Sequence, residues 1–277
     1  MKVVLFCGGL GSRLREHSET IPKPLVEIGP RPIIWHLMRY YARFGHKDFI
    51  LCLGYKGNMI KDYFLNYDEC RSNDFSISGP DRRIELLGND IDDWNITFVD
   101  TGMHSNLGQR LKAVEQHVAS EEIFLANYSD GLSDLPLNDY IEQFRQSDAV
   151  AGFASVRPFS TYHVVQADET ARVTGIVSVQ ESDVWVNGGF FTLRPQIFDY
   201  MQAGEELVEQ PFRRLIPEGK LMTWKYRGFW EAMDTYKDWK NLEEMYHSGN
   251  RPWERLPKRT SARMEAPRRK QVVETIR

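Results

Sequence analysis

This chain predicts an α/β fold built on a doubly wound, mostly parallel sheet, and three observations carry that reading. Strand-like and helix-like stretches alternate through the first half of the sequence, the order that gives a parallel sheet with helices on its faces. The first apolar run ends directly in a glycine-rich turn, Gly8-Gly9-Leu10-Gly11. Two later motifs, Thr101-Gly102 and Asp130-Gly131, also follow apolar runs. In open sheets of this kind ligands bind beyond the carboxyl ends of the strands, so the separated motifs are expected to meet in one crevice.

The elements follow in order. Lys2–Cys7 is short, apolar and β-branched, which reads as a buried strand. Ile33–Phe44 has helical periodicity and stops at Gly45. Asp48–Leu53 reads as a strand and Met59–Leu65 as a helix. Residues 67 to 94 break the alternation: they are polar, carry the turn pairs Gly79-Pro80 and Gly88-Asn89, and read as an inserted loop or hairpin. Ile96–Asp100 is a strand, Gly108–Val118 a helix, Ile123–Tyr128 a strand and Leu137–Ser147 a helix. Residues 149 to 193 are rich in strand signals, and Thr235–His247 is a late helix with Gly249 near its end. No internal repeat is evident.

Composition permits this fold. The chain has 277 residues, 42% hydrophobic and 27% charged, enough for a full core in one large α/β domain with or without a small annex. The expected division is a domain over 1–255 and a basic tail over 256–277. From Lys258 to Arg277 the net charge is +5, which leaves −9 on the rest of a chain whose total is −4. An acidic body argues against nucleic acid as the partner, and the tail reads as a solvated extension. The sequence shows no signal-peptide pattern and no apolar run long enough to span a bilayer, so a cytoplasmic location is expected. Cys7 and Cys52 fall inside apparent core strands and read as buried thiols, and no Cys/His spacing suggests zinc.

The first glycine-rich turn points to phosphate. Glycines let backbone N–H groups approach a polyanion closely. Arg13 and Lys23 follow, the latter held between Pro22 and Pro24, and two cations can neutralise phosphate charge. A P-loop is excluded because no lysine follows Gly11, and the dinucleotide fingerprint fits poorly because its third glycine would fall on Leu14. A nucleoside triphosphate is the expected ligand.

The run Gly8-Gly9-Leu10-Gly11-Ser12-Arg13-Leu14 followed by Pro22-Lys23-Pro24-Leu25-Val26 resembles the signature of sugar-1-phosphate nucleotidylyltransferases, above all those that use CTP and glucose 1-phosphate. Gly29 to His36, Cys52 to Gly57, Val99 to Gly102, Asn187 to Phe191, Gly228-Phe229-Trp230 and Met233-Asp234-Thr235 extend the resemblance over about residues 1 to 255. It implies a Rossmann-like nucleotidyltransferase sheet with a strand-rich half for the acceptor. It also implies transfer of CMP from CTP to a sugar 1-phosphate, release of pyrophosphate and formation of a CDP-sugar. The same chemistry with another nucleoside triphosphate or a non-glucose phosphate stays open, as does a weakly catalytic nucleotide-binding regulator.

The resemblance assigns roles by position. Arg13 and Lys23 are the catalytic cations, on the departing β,γ-phosphates and on the α-phosphate. Phe6, Cys7, Gly8, Gly9, Leu10, Gly11, Ser12, Ser105, Arg110 and Ser129 join them around the nucleotide. Asp130 and Asp234 are paired as ligands of Mg²⁺, a hard cation suited to carboxylates. By pattern alone either aspartate could instead cap a helix. Asn187-Gly188-Gly189 matches the acceptor block, where a β-bulge or turn is the plain alternative. A homo-oligomer is favoured.

Three positions depart from the family pattern. Gln109 and Ser129 each replace a glycine, and Gln109 could hydrogen-bond a base edge. Ser182 stands where a lysine is expected on the acceptor phosphate. Either another cation compensates or the acceptor is not glucose 1-phosphate. Arg157 and His163 are expected to line the acceptor pocket, with Arg172 a further basic neighbour.

Overall fold

The computed structural model describes residues 1–9, 20–158, 162–179 and 181–255. Its centre is an eight-stranded sheet. The strands are β1 (Lys2–Phe6), β2 (Asp48–Leu53), β3 (Asn95–Asp100), β4 (Phe124–Tyr128), β5 (Ala151–Val156), β6 (Val186–Asn187), β7 (Phe191–Leu193) and β8 (Leu221–Tyr226). β4, β1, β2 and β3 lie side by side and all parallel. β7 joins β4 antiparallel, β5 joins β7 antiparallel, and β8 pairs with β5 in parallel. Only β6 and β7 therefore run against the others in this sheet, so it is mixed but mostly parallel.

The sheet is doubly wound. Val3, Leu5, Phe49 and Leu51 pack into one core with Ile33, Leu37, Ile60, Tyr140 and Ile141, which lie on the helices Ile33–Arg43, Gly57–Leu65 and Leu137–Arg145. The alternate residues Val4, Phe6, Ile50 and Cys52 face a second core with Leu111, Val118, Phe212 and Leu215. Side chains alternate across a strand, so a strand covered on both faces must be apolar throughout. This explains the unbroken run Val3-Val4-Leu5-Phe6. Each such side chain contributes roughly 1.5–3 kcal/mol when fully buried.

Two expectations are refined. The helix expected over 108–118 is split into Leu107–Ala113 and Glu115–Val118. Val114, fully buried, turns its N–H onto the Leu111 carbonyl in a tighter turn. Residues 67–94 hold a short 3₁₀ turn and the hairpin Phe75–Ser78 with Arg83–Leu86. That stretch is tied down by buried Asp90, which accepts hydrogen bonds from Tyr67 Oη (2.8 Å), Arg39 (3.1 Å), Arg31 (3.4 Å) and Ser72.

Cys7 and Cys52 are buried free thiols and Cys70 is half-buried. No helix among the described residues is long and apolar enough to cross a membrane. The basic tail lies outside the described residues.

Candidate active site

A cleft of about 380 Å³ opens at the carboxyl ends of β1, β3 and β4. Phe6, Gly8, Gly9, Lys23, Ser105, Arg110, Ser129 and Asp130 all line it. Leu10, Gly11, Ser12 and Arg13 lie outside the described residues. The Cys7 thiol is turned from the cleft into the core, donating to the Leu5 carbonyl at 3.4 Å, and burial pushes its pKa far up.

The floor of the cleft is built around Arg110. Arg110 is 4% exposed. It donates to the Gly8 carbonyl (3.0 Å), the Leu53 carbonyl (3.1 Å) and Thr101 Oγ1 (2.7 Å). One side chain thus ties together the segments that follow β1, β2 and β3. Glycine at position 8 makes room for it: a Cβ there would lie 2.0 Å from the Arg110 guanidinium and would push it off these partners. Ser129 adds a similar tie, donating to the Phe6 carbonyl at 2.8 Å, so this hydroxyl in place of glycine stitches β1 to β4. Gln109 has no place in the cleft lining. It closes a capping box with Asn106, accepting that residue's N–H at 2.9 Å, and the base-edge role suggested for it is replaced by helix capping.

At the other end of the cleft Lys23 meets both candidate metal ligands. Its ammonium lies 2.5 Å from Asp130 Oδ2 and 2.8 Å from Asp234 Oδ1. Prolines 22 and 24 frame the 3₁₀ turn that carries it. Burial depresses the lysine pKa, but the two carboxylates outweigh that and hold it above its ordinary value. The aspartates are neighbours because Gly131–Ser133 pairs antiparallel with Trp230–Ala232, extended by Met233 N–H donating to the Asp130 carbonyl at 2.8 Å. Thr235, not Asp234, caps the last helix, and its hydroxyl accepts from Asp238 N–H. The Asp234 carboxylate is therefore directed to Lys23 and not to a cap.

The donor set fits magnesium. Two hard carboxylates converge on one point, and no group of three or more His, Cys, Asp or Glu suited to a metal occurs among the described residues. Mg²⁺ commonly takes one or two carboxylates and fills its remaining positions with substrate phosphate and water.

Asn187-Gly188-Gly189 forms the bend between β6 and β7, where Gly189 and Phe190 both have positive φ (76° and 51°). The bend explains the paired glycines, since a Cβ on Gly189 would meet Asn127 Oδ1 at 2.3 Å and one on Gly188 would meet Val156 at 2.8 Å. Asn187 donates to the Tyr128 hydroxyl of the cleft wall at 3.3 Å, and Trp230 Nε1 donates to the Gly188 carbonyl at 2.8 Å. The Asn187-Gly188-Gly189 bend is thus clamped between the cleft wall and the strand Trp230–Ala232 that precedes Asp234. Arg157 follows β5 and lies 5.3 Å from the Trp185 ring. His163 begins an exposed hairpin opposite Ser178 and is not in the cleft lining. Arg172 sits in the same exposed hairpin. The Ser182 hydroxyl is folded into its own turn, donating to the Val179 carbonyl at 2.6 Å.

Pro24, Asn106, Leu107, Tyr128 and Glu206 also line the cleft and escape sequence reasoning. Tyr128 immediately precedes Ser129 and Asp130, and proximity to that motif was the available signal. Glu206 has no local signal. Its Oε2 accepts Leu107 N–H at 3.3 Å, its buried Oε1 has no hydrogen-bond partner among the described residues, and burial raises its pKa.

The sequence that builds this strand-end cleft matches a known family. The nucleotidyl transferase model covers residues 2–235, and the chain belongs to that family. Within it, the chain is similar to glucose-1-phosphate cytidylyltransferase of Salmonella typhi, with 38% identity over 255 residues, 91% of this chain and 98% of the relative. It is 35% identical to a probable glucose-1-phosphate cytidylyltransferase of Bacillus subtilis, over 91% and 99% of the two chains. Among solved structures, apo UDP-glucose pyrophosphorylase shares the fold at a TM-score of 0.65 and 16% identity, covering 91% of this chain and all of that one. HddC from Yersinia pseudotuberculosis shares it at 0.62 and 20% identity, covering 88% and 99%.

Proposed function

We propose that this nucleotidyltransferase moves CMP from CTP to a sugar 1-phosphate, with glucose 1-phosphate as the first acceptor to test. Residues 1–255 are taken as the catalytic unit. An acceptor phosphate oxygen attacks the α-phosphorus, the bond to the β-phosphate breaks, and pyrophosphate leaves. Both reactants are anions, so charge neutralisation and alignment carry the acceleration. The observation that carries this reading is Lys23 held between Asp130 and Asp234 at the end of a glycine-lined cleft. The relatives' names supply the base and the sugar.

In this scheme Gly8 and Gly9 let the backbone approach the triphosphate, Lys23 meets charge at the α-phosphate, and Arg13 clamps the leaving pyrophosphate. Magnesium bound by Asp130 and Asp234 supplies positive charge to the phosphate oxygens. Asn187 and the Gly188-Gly189 bend face the sugar. Arg157 belongs to the acceptor side, with His163 at its margin.

Pyrophosphate release tests the reading, with CTP, UTP, GTP and dTTP each offered alongside a panel of sugar phosphates and Mg²⁺. Turnover is expected with CTP and glucose 1-phosphate. Preference for another triphosphate or acceptor moves the assignment within the family, and binding without any turnover favours a regulator.

A further inference from the structure

Trp185 is surrounded by three cations. Arg157 lies 5.3 Å from its ring centroid, Lys225 5.1 Å and Arg227 5.3 Å. The sheet register explains the gathering. Ser155 is opposite both Asn187 and Lys225, and Val156 is opposite both Val186 and Tyr226. Side chains two residues apart share a face. Ser155, Arg157, Trp185, Asn187, Lys225 and Arg227 therefore stand on one face of the sheet. Asn187 on that face reaches Tyr128 in the cleft wall, which links the face that carries the cations to the nucleotide cleft.

Asp183 lies among these cations and accepts from Trp185 Nε1 at 2.9 Å. That hydrogen bond, then Lys225, Arg157 and Arg227, hold the Asp183 carboxyl below its ordinary range. Lys225 and Arg227 are exposed and open to a ligand. An indole face attracts cations and keeps their donors together. Guanidinium groups then offer paired N–H donors suited to a phosphate. Position 182 offers only a hydroxyl already committed to its own turn.

Resting on the nucleotidyl-transfer reading above, we propose that Arg157, Lys225 and Arg227, gathered on Trp185, form the site that binds the phosphate of the acceptor sugar. The triphosphate would be met at one end of the cleft by Lys23 and by the cation that Asp130 and Asp234 would hold. The acceptor dianion is met by this separate set across Asn187. The cluster thus replaces, from strands β5 and β8, the cation that Ser182 lacks.

The double variant Lys225→Ala/Arg227→Ala tests this, since both residues are exposed and their loss leaves the core intact. The KM for the sugar 1-phosphate should rise about tenfold to a hundredfold while the KM for CTP stays within about twofold. Lys225→Arg should retain most of the acceptor affinity. A calorimetric titration of glucose 1-phosphate, with Mg²⁺ and a non-reactive CTP analogue present, reads the site without turnover. The wild type should bind glucose 1-phosphate but not glucose, and the double variant should lose that binding. Absence of turnover in the wild type alongside that binding pattern overturns the reaction and leaves the cluster standing. Equal binding by a folded double variant, or no binding by the wild type, overturns the cluster.

Discussion

Lys23 occupies the point where its two aspartates would hold a dication. If these carboxylates hold magnesium as proposed, its charge and the Lys23 ammonium would compete there, because both are drawn to the same two carboxylates. Lys23→Met should therefore act in opposite directions on two measurements. Mg²⁺ affinity of the nucleotide-free protein should rise about tenfold, read by metal titration, since a competing charge is gone. Turnover should fall by about two orders of magnitude, since a preorganised contact to the α-phosphate is gone. Unchanged metal affinity would refute the competition. The pH sign follows from the raised lysine pKa. The stability it adds is fully present below the unfolded value near 10.5 and is lost only as pH rises through the higher folded value. No change from this group is expected across neutral pH. Glu206 shows the reverse case. Its folded pKa is raised by burial, so the native state holds the proton more tightly and stability falls as pH rises above about 4.5. Glu206→Gln keeps an acceptor for Leu107 N–H and removes that loss. Urea midpoints of the two proteins should agree below pH 4.5 and separate in favour of Gln at pH 7. Parallel midpoints at both pH values would count against a buried, costly charge at 206.

At the level of elements, the apolar runs were legible because both faces of the central strands are covered. Asp48–Leu53 coincides with its expected bounds, and the parallel half follows from alternation alone. What escaped depends on contacts between distant segments. Lys225 and Arg227 reach Trp185 only because β8 pairs in register with β5, and nothing in either local sequence announces that pairing. Gln109 looked like a ligand group and serves as a cap, because a polar residue three positions after Asn106 meets the cap's free N–H first. Arg110 carries the opposite lesson. Its position matched the nucleotide pattern, yet its hydrogen bonds go to the strand ends that shape the cleft. The 67–94 stretch is also legible only as an insertion, while its anchor is tertiary. Asp90 faces Arg31 and Arg39 and has a side chain 3% exposed. Asp90→Ala leaves the nearly sealed Arg31 without its carboxylate. Unfolding free energy should drop by about 3–5 kcal/mol. Hydrogen exchange should quicken in the hairpin Phe75–Ser78 with Arg83–Leu86 ahead of the central strands. Exchange that stays uniform would assign the loss to the core instead.

At the scale of the whole molecule, the two substrates of the proposed reaction would be divided between two halves of one sheet. The parallel strands β1, β3 and β4 end at the cleft, and β5 and β8 carry the cations gathered on Trp185, with Asn187 touching Tyr128 between them. The glycine turn, Lys23, Asp130 and Asp234 come from separate parts of the chain, so the nucleotide site exists only when the fold is complete. A ligand that binds such a site binds the native state alone and raises the free energy of unfolding by its occupancy, about 2.7 kcal/mol at a hundredfold excess over Kd. CTP with Mg²⁺ should therefore raise the thermal midpoint more than equal concentrations of UTP, GTP or dTTP with Mg²⁺. In Asp130→Asn or Asp234→Asn the shift should shrink, because an amide holds a hard dication poorly and leaves phosphate charge uncompensated. Those variants also separate two sources of stabilisation. If the shift survives in both, the triphosphate is held by the glycine turn and the cations without the metal. If another triphosphate gives the largest shift in the wild type, the cytidylyl assignment falls while the cleft and its charge arrangement stand.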